Sequence, residues 1–244
     1  MRLSVVMLSV TWVLCFSTEL FAQKKGKSTI EEQEKETILN PYQINEKVYK
    51  LALRYNDMVV AREAVYNMYA INPNRTNLLD TLVFLYYNST DYVQVVLLGN
   101  DILVKNPDNA TILEIVAVSQ QNLGLTKEAL ENFERLFTIT QNLYHQYNIA
   151  SLQYMLKRYG ECGATLNNIL GAKSESALIS ITDAKKGTQK VPIKAAAFNM
   201  RGVIALDLKQ TEVAKQNFQK ALELFPDFLL AKSNIEKVSI STEK

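Results

Sequence analysis

The stretch that decides the fold runs from residue 198 to residue 226 and reads FNMRGVIALDLKQTEVAKQNFQKALELFP. Small residues in it, such as Gly202 and Ala214, allow two antiparallel helices to approach each other closely. The whole chain holds only 8 glycines and 5 prolines in 244 residues, which favours helix over sheet. The stretch therefore predicts a helix, a turn and a second helix that packs against the first.

The spacing seen in this stretch recurs along the chain with a period of about 34 residues, and a fixed period of this length indicates a repeat architecture. Pro73 and Pro107 are one such period apart, and each follows a helix-like segment. A column of small or β-branched residues repeats at the same step, at Ala61, Val95 and Ala129. Cys162 continues this column one position short of a full period. Ala214 then follows Cys162 by one period plus an insertion of about 18 residues.

These columns resemble the tetratricopeptide repeat, a helix-turn-helix unit with aromatic, Leu-Gly, Tyr, Ala, Phe and Pro positions at set spacings. The last unit fits the columns best. Its matching residues are Phe198, Gly202, Ala205, Ala214, Phe218, Ala221 and Pro226, and it departs from the pattern at Arg201, which replaces the usual Leu. The third unit, which has Gln141 in place of Pro, matches at Val116, Ala117, Gly124, Ala129 and Phe133. In the second unit, Gly99 weakens the second helix.

The resemblance implies an all-α fold over residues 42–241, an α-solenoid in which about five helix pairs stack into a right-handed superhelix with a concave inner surface. Apolar residues at steps of three and four agree with this, because each helix then has one buried face. Residues 228–238 are predicted to form a terminal helix that seals the last repeat.

Residues 1–22 are predicted to be a secretory signal peptide. Arg2 precedes an apolar run of about fourteen residues, Leu3 to Phe16, and Ala22 supplies a small residue for cleavage. The alternative is a membrane anchor, but the run is shorter than the roughly 20 residues that span a bilayer. Lipidation of Cys15 is a further alternative, although Leu14 is large for the position before a lipidated cysteine. Residues 23–41 are a polar linker or a short leading helix. We therefore expect a periplasmic or otherwise secreted protein.

The insertion at about 171–190 is predicted to form a β-hairpin between the fourth and fifth repeats. Residues 177–181 and 188–193 are both β-prone, and residues 183–187 have the composition of a turn. The alternative is a disordered loop beside a lengthened helix.

The sequence provides little that supports catalysis or cofactor binding. Its 27 basic and 25 acidic residues give a net charge of +2, too small for a broad field that would hold nucleic acid. No phosphate-binding glycine loop and no metal-ligand spacing is present. His145, the single histidine, is expected to be partly exposed at the surface, and Cys162 to be a small buried residue. We therefore expect no enzyme activity and predict no catalytic, cofactor-binding or metal-binding residues.

The resemblance implies that the first helix of each pair lines the concave groove. The residues predicted to bind a partner there are Asp80, Phe84, Tyr87, Asn88, Glu114, Val118, Gln121, Asn122, Tyr147, Ser151, Tyr154, Asn199 and Val203. Tyr147 and Tyr154 are seven apart and so lie on one helical face, although filling gaps between repeats is the alternative role for both. Acidic residues recur at one level of three first helices, at Glu46, Asp80 and Glu114. Such a face repels a carboxylate and favours a neutral or mildly basic segment or helix.

These features predict a non-catalytic protein-interaction scaffold or adaptor of the bacterial envelope that binds a peptide or helix in the groove. An exposed strand of the insertion offers a second contact by strand addition. The alternatives are an accessory subunit of an envelope enzyme or assembly complex, and self-association through exposed repeat ends. Association with a membrane would occur through a partner.

Overall fold

The computed structural model describes residues 39–173, 177–183 and 187–242. The predicted signal peptide, Cys15 and most of the 23–41 segment lie outside these residues. The described helices and strands are α1 Pro41–Arg54, α2 Met58–Ile71, α3 Asn77–Asn88, α4 Tyr92–Lys105, α5 Ala110–Asn122, α6 Thr126–Thr140, α7 Leu143–Met155, α8 Tyr159–Gly171, β1 Leu178–Asp183, β2 Gly187–Pro192, α9 Ile193–Asp207, α10 Thr211–Leu224 and α11 Leu229–Thr242.

Ten of the helices form five consecutive pairs, from α1 and α2 to α9 and α10. Each helix packs against the next helix along the chain, and α11 packs against α10 and α9. The first helices of neighbouring pairs also contact each other, as α3 does with α5, and α7 with α9. First helices that touch across pairs line the inner side of the stack. This arrangement confirms the predicted α-solenoid of five helix pairs with a terminal helix.

The period is visible in the backbone as well as in the side chains. One residue in each turn within a pair has a positive φ, between 57° and 75°, namely Asn56, Thr90, Gly124, Lys157 and Lys209. Their spacing reproduces that of the small-residue column, including the longer step across the insertion. Four of the five are not glycine, although side-chain-bearing residues rarely adopt this conformation. The turn geometry is therefore a fixed part of each repeat.

The small-residue column forms the centre of each pair. Ala61, Val95, Ala129, Cys162 and Ala214 are all 0% exposed. Two glycines allow further close approach. A Cβ atom at Gly202 would overlap the ring of Phe218, and one at Gly99 would overlap the side chain of Val116 in the next helix. The helix-weakening effect of Gly99 is thus accompanied by a packing role between α4 and α5.

The third unit departs from the family pattern at Gln141, and the structure shows how α6 ends without proline. Gln141 adopts a left-handed conformation with φ 52°, and its backbone N–H donates to the carbonyl of Phe137. Its side-chain amide also donates to that carbonyl, at 3.1 Å. A left-handed residue of this kind satisfies the last carbonyls of a helix.

Side-chain contacts fasten the first pair to the second. Arg62 of α2 donates to a carboxylate oxygen of Asp91 at 2.8 Å and to the hydroxyl of Ser89 at 3.1 Å. Its guanidinium lies 4.8 Å from the ring centroid of Tyr86. Such a hydrogen-bonded and stacked arginine is held more rigidly than a simple surface ion pair.

The insertion forms the predicted hairpin, whose strands pair antiparallel from Leu178 opposite Pro192 to Asp183 opposite Gly187. Residues 184–186 of the predicted turn lie outside the described residues. One face of the hairpin packs on α9, because Ile179 is 6% and Val191 0% exposed. The side chain of Gln189 donates to the carbonyl of Asp227 at 2.7 Å and accepts from the amide of Leu229 at 3.1 Å. The hairpin is thereby fastened to the turn between α10 and α11.

Candidate functional site

Equivalent positions of the first helices form four rows across the inner side of the stack. Their members follow the repeat period, with the longer step across the insertion. The first row is Asp80, Glu114, Tyr147 and Asn199; the second is Phe84, Val118, Ser151 and Val203; the third is Tyr87, Gln121, Tyr154 and Leu206; the fourth is Asn88, Asn122, Met155 and Asp207. All the residues predicted to bind a partner fall in these rows. Leu206, Met155 and Asp207 are absent from that prediction, although the period itself identifies them.

The second, third and fourth rows are accessible to a partner. Phe84 is 41% and Met155 53% exposed, and Asn88 and Asn122 are exposed as well. The amide of Asn122 donates to the carbonyl of Val118 at 2.8 Å, so one of its N–H groups is already engaged. The remaining members, apart from the exposed Asp207, are partly buried. These rows combine aromatic, aliphatic and amide side chains on one continuous face.

An aromatic cluster lies near the end of α7. The rings of Tyr154 and Tyr159 are 6.0 Å apart, and the hydroxyl of Tyr159 donates to Asp207 at 3.0 Å. Burial and the hydrogen bond to Asp207 raise the pKa of Tyr154 to about 12. Tyr154 is therefore neutral at physiological pH, and its side chain is partly exposed.

The first row is covered at the fourth and fifth repeats. Tyr147 is 8% exposed and lies in one core cluster with Ile179 and Val191 of the hairpin. Asn199 is 4% exposed, and its side-chain oxygen accepts from the amide of Asn234 in α11 at 2.9 Å. The side chains of Tyr147 and Asn199 are therefore not accessible to a ligand. Tyr147 therefore has the alternative role of filling space between repeats. Tyr154, in contrast, is partly exposed on the inner side of the stack.

The acidic residues of the first three pairs have different surroundings. Glu46 accepts a hydrogen bond from Lys50 at 2.7 Å, which lowers the pKa of its carboxyl group. Glu114 lies 3.5 Å from the imidazole of His145. Burial raises the pKa of Asp80, for which no ion pair is found among the described residues. Asp80 lines a cavity of about 270 Å³ together with Thr76, Leu79, Ile102, Lys105, Asn106 and Asn109. Glu46 thus has a cationic partner in Lys50, whereas Asp80 has none among the described residues.

His145 is buried, so the expectation of a partly exposed surface histidine is wrong. Its side chain is 5% exposed, and its Nδ1 lies 2.8 Å from the hydroxyl of Thr140. That hydroxyl donates to the carbonyl of Leu136 at 2.9 Å, so it accepts from Nδ1–H. The imidazole therefore connects α5, α6 and α7. His145 has the same position in its repeat as Ile112 has in the preceding pair, and Ile112 is buried. This equivalence can be seen in the sequence, and it indicates a buried side chain at position 145.

Cys162 is fully buried, as expected from its place in the small-residue column. Its thiol donates to the carbonyl of Ala150 at 3.1 Å and lies 3.9 Å from the sulfur of Met200. Burial raises its pKa to about 11, so the thiolate that reacts as a nucleophile is scarce. In the described part of the chain, no three His, Cys, Asp or Glu side chains are grouped as metal ligands. None of the described helices has the length and hydrophobicity that a bilayer span requires.

Comparisons with known proteins agree with this geometry. The sequence model of the tetratricopeptide repeat matches residues 195–228. No curated protein matches the sequence. Among solved structures, MamA gives a TM-score of 0.59 at 13% identity and covers 75% of this chain and 91% of that chain. The 41-end form of MamA from Desulfovibrio magneticus RS-1 gives 0.59 at 12% identity, covering 78% of this chain and 98% of that chain. YrrB, a tetratricopeptide-repeat protein with an unusual peptide-binding site, gives 0.59 at 14% identity, covering 76% and 87%.

At these identities the structural similarities bear on the fold alone, and they agree with the repeat period, the buried column and the turn conformations. The match at 195–228 covers the fifth helix pair, the unit in which the sequence columns are most complete. Residues 195–228 are therefore a tetratricopeptide repeat, and the chain has the fold of tetratricopeptide-repeat proteins.

Proposed function

We propose that the protein is a non-catalytic interaction scaffold that holds a peptide or helix of a partner protein on the second, third and fourth rows. The observation that carries this proposal is the open face itself, on which Phe84, Tyr87 and Tyr154 alternate with amide side chains such as Asn88 and Asn122. Aromatic rings supply apolar contact area, and amides hydrogen-bond to an extended backbone. The peptide-binding site described for YrrB supports this use of the fold.

The acidic charge of the four rows determines which ligand charge is favoured. None of their sixteen members is Lys or Arg, whereas Asp80, Glu114 and Asp207 are acidic. A ligand that ended in a carboxylate would meet acidic groups and no basic partner there. The half-buried carboxylate of Asp80 gains most from a nearby cation, because it has no ion pair among the described residues. The preferred ligand is therefore an internal segment with neutral or basic side chains.

The bacterial envelope is the proposed setting. It is supported by the basic start, apolar run and small residue found within residues 1–22. Fractionation of the native host would test this part of the proposal. Recovery of the full-length precursor, including residues 1–22, from the cytoplasm would contradict it.

Exchange of Phe84 and Tyr154 for alanine tests the binding face. Capture of a native partner from an envelope extract is expected to weaken by about 1 kcal/mol or more, roughly fivefold in affinity, because aromatic anchors carry much of the binding energy. Binding would be measured with the captured partner after its identification by mass spectrometry. Melting temperature would confirm that the double variant remains folded.

The matched control replaces Val59 and Val104 with alanine. Both are aliphatic residues on the second helices, and they are 66% and 83% exposed. The proposal expects this control to bind as the unaltered protein does. Equal capture by the Phe84→Ala/Tyr154→Ala variant, or a loss seen only in the control, would show that the inner rows are not the binding face.

A further inference from the structure

The free edge of β1 presents unused backbone hydrogen-bonding groups. The amide of Ile193 donates to the carbonyl of Ala177 at 2.8 Å, and residues 177 and 193 are opposite in the register. Because hydrogen-bonded and non-hydrogen-bonded pairs alternate in an antiparallel ladder, the pairs at 179, 181 and 183 are bonded and those at 178, 180 and 182 are not. The N–H and C=O groups of Leu178, Ser180 and Thr182 therefore point away from β2. Pro192, which lacks an N–H, lies opposite Leu178 and fits this alternation.

The residues that carry these outward groups are exposed. Leu178 is 56% exposed, and Ser180 and Thr182 are exposed as well. Within residues 177–183 and 187–242, no backbone hydrogen bond outside the hairpin reaches any of the three. Backbone groups that lack a protein partner are satisfied by water or by another strand.

The two edges of the hairpin differ in how they are protected. Along β2 the outward positions are Thr188, Lys190 and Pro192, and both lysine and proline discourage pairing with another strand. Along β1 the outward positions carry neither a charge nor a proline. The buried face of the hairpin fixes its register on α9, so the edge of β1 is held in one orientation. Only β1 is thus left open to strand addition.

We propose that the edge of β1 pairs with the same edge of a second copy of this chain. The outward residues are symmetric about Ser180, so antiparallel pairing around a two-fold axis sets Ser180 opposite its equivalent and Leu178 opposite Thr182. No charged side chain of residues 178–182 opposes another in this register, and the exposed Leu178 gains a neighbour on its own face of the sheet. The result is a continuous four-stranded antiparallel sheet with an isologous interface. This site and partner are separate from the ligand proposed for the inner rows.

Sedimentation equilibrium of the purified protein, over about a hundredfold range of concentration, tests the proposal. A short strand pair forms a small interface, so the expected result is a weak, reversible dimer. Ser180→Pro removes an outward N–H without breaking a bond inside the hairpin, and it is expected to weaken the dimer by about tenfold or more. Ser180→Ala keeps the N–H and should dimerise as the unaltered protein does.

A second variant covers the case in which proline disturbs the hairpin. Ser180→Lys sets two like charges opposite each other at the two-fold axis and is also expected to abolish the dimer. Circular dichroism and melting temperature would verify that each variant is folded. A protein that is monomeric throughout the range overturns the proposal. So does a dimer that survives both variants, and its loss on Leu51→Glu would then place the contact at α1, where Leu51 is 55% exposed.

Discussion

Gly202→Ala is expected to lower the free energy of unfolding by about 2 kcal/mol. The added Cβ would overlap the ring of Phe218, which is 0% exposed, so the ring or the helix backbone would have to shift. Overpacking of a tight core costs about 1–3 kcal/mol, occasionally more, whereas the better helix propensity of alanine returns about 1 kcal/mol at most. The melting temperature should fall by about 4–8 °C. Urea denaturation followed by circular dichroism would measure the change.

The matched control is Gly163→Ala in α8. A Cβ at Gly163 meets nothing within 4 Å, so alanine there gains helix propensity without a clash. We expect this variant to be up to about 1 kcal/mol more stable than the unaltered protein. The two glycine exchanges should therefore have opposite signs. A Gly202→Ala protein as stable as the Gly163→Ala protein would contradict close helix packing in the fifth pair.

Val191→Asp is expected to cost about 3–5 kcal/mol, because it places an unpaired carboxylate where the side chain is 0% exposed. Val191 shares its core cluster with Tyr147 and Cys162, so the cost falls on a core to which α7, α8, α9 and the hairpin all contribute. Transient opening of this cluster would expose the Cys162 thiol. We expect alkylation of native Cys162 to accelerate by more than about a hundredfold. Peptide mass spectrometry would follow Cys162 separately from Cys15.

Lys190→Asp is the control for this prediction, because Lys190 lies in the same strand with its side chain exposed. Its stability should stay within about 0.5 kcal/mol of the unaltered protein, and Cys162 should remain slow to react. Rapid alkylation of Cys162 in the unaltered protein at pH 8 would contradict both its burial and its raised pKa.

The period predicted most of the fold because it records contacts that are close in sequence. Each small residue of the column is fully buried in its own pair, so its spacing locates the pairs without further information. The insertion is visible as a break in this period, between Cys162 and Ala214. Its β-prone composition then predicts the hairpin.

The burial of Tyr147 depends on residues that are distant in sequence, and a local sequence pattern does not reveal such contacts. Its row position is equivalent to Glu114, which is partly exposed, whereas Tyr147 is buried in a core cluster that includes Ile179 and Val191 of the hairpin. The sequence shows that a hairpin is inserted, but its direction is set by the burial of those two side chains and by Gln189. Asn199 is covered for a related reason, since its partner Asn234 belongs to α11.

The attachment of the hairpin makes the two ends of the protein mechanically unequal. In an ideal solenoid each pair holds only its neighbours, and pairs can peel off singly from either end. Here Tyr147 of α7 shares one core cluster with Ile179 and Val191 of the hairpin, and Gln189 hydrogen-bonds to the turn before α11, so non-covalent contacts connect the fourth pair through the hairpin to the terminal helix. Under a pulling force, α1 and α2 should detach first at low load. The segment from α7 to α11 should then rupture as a single block at a higher force.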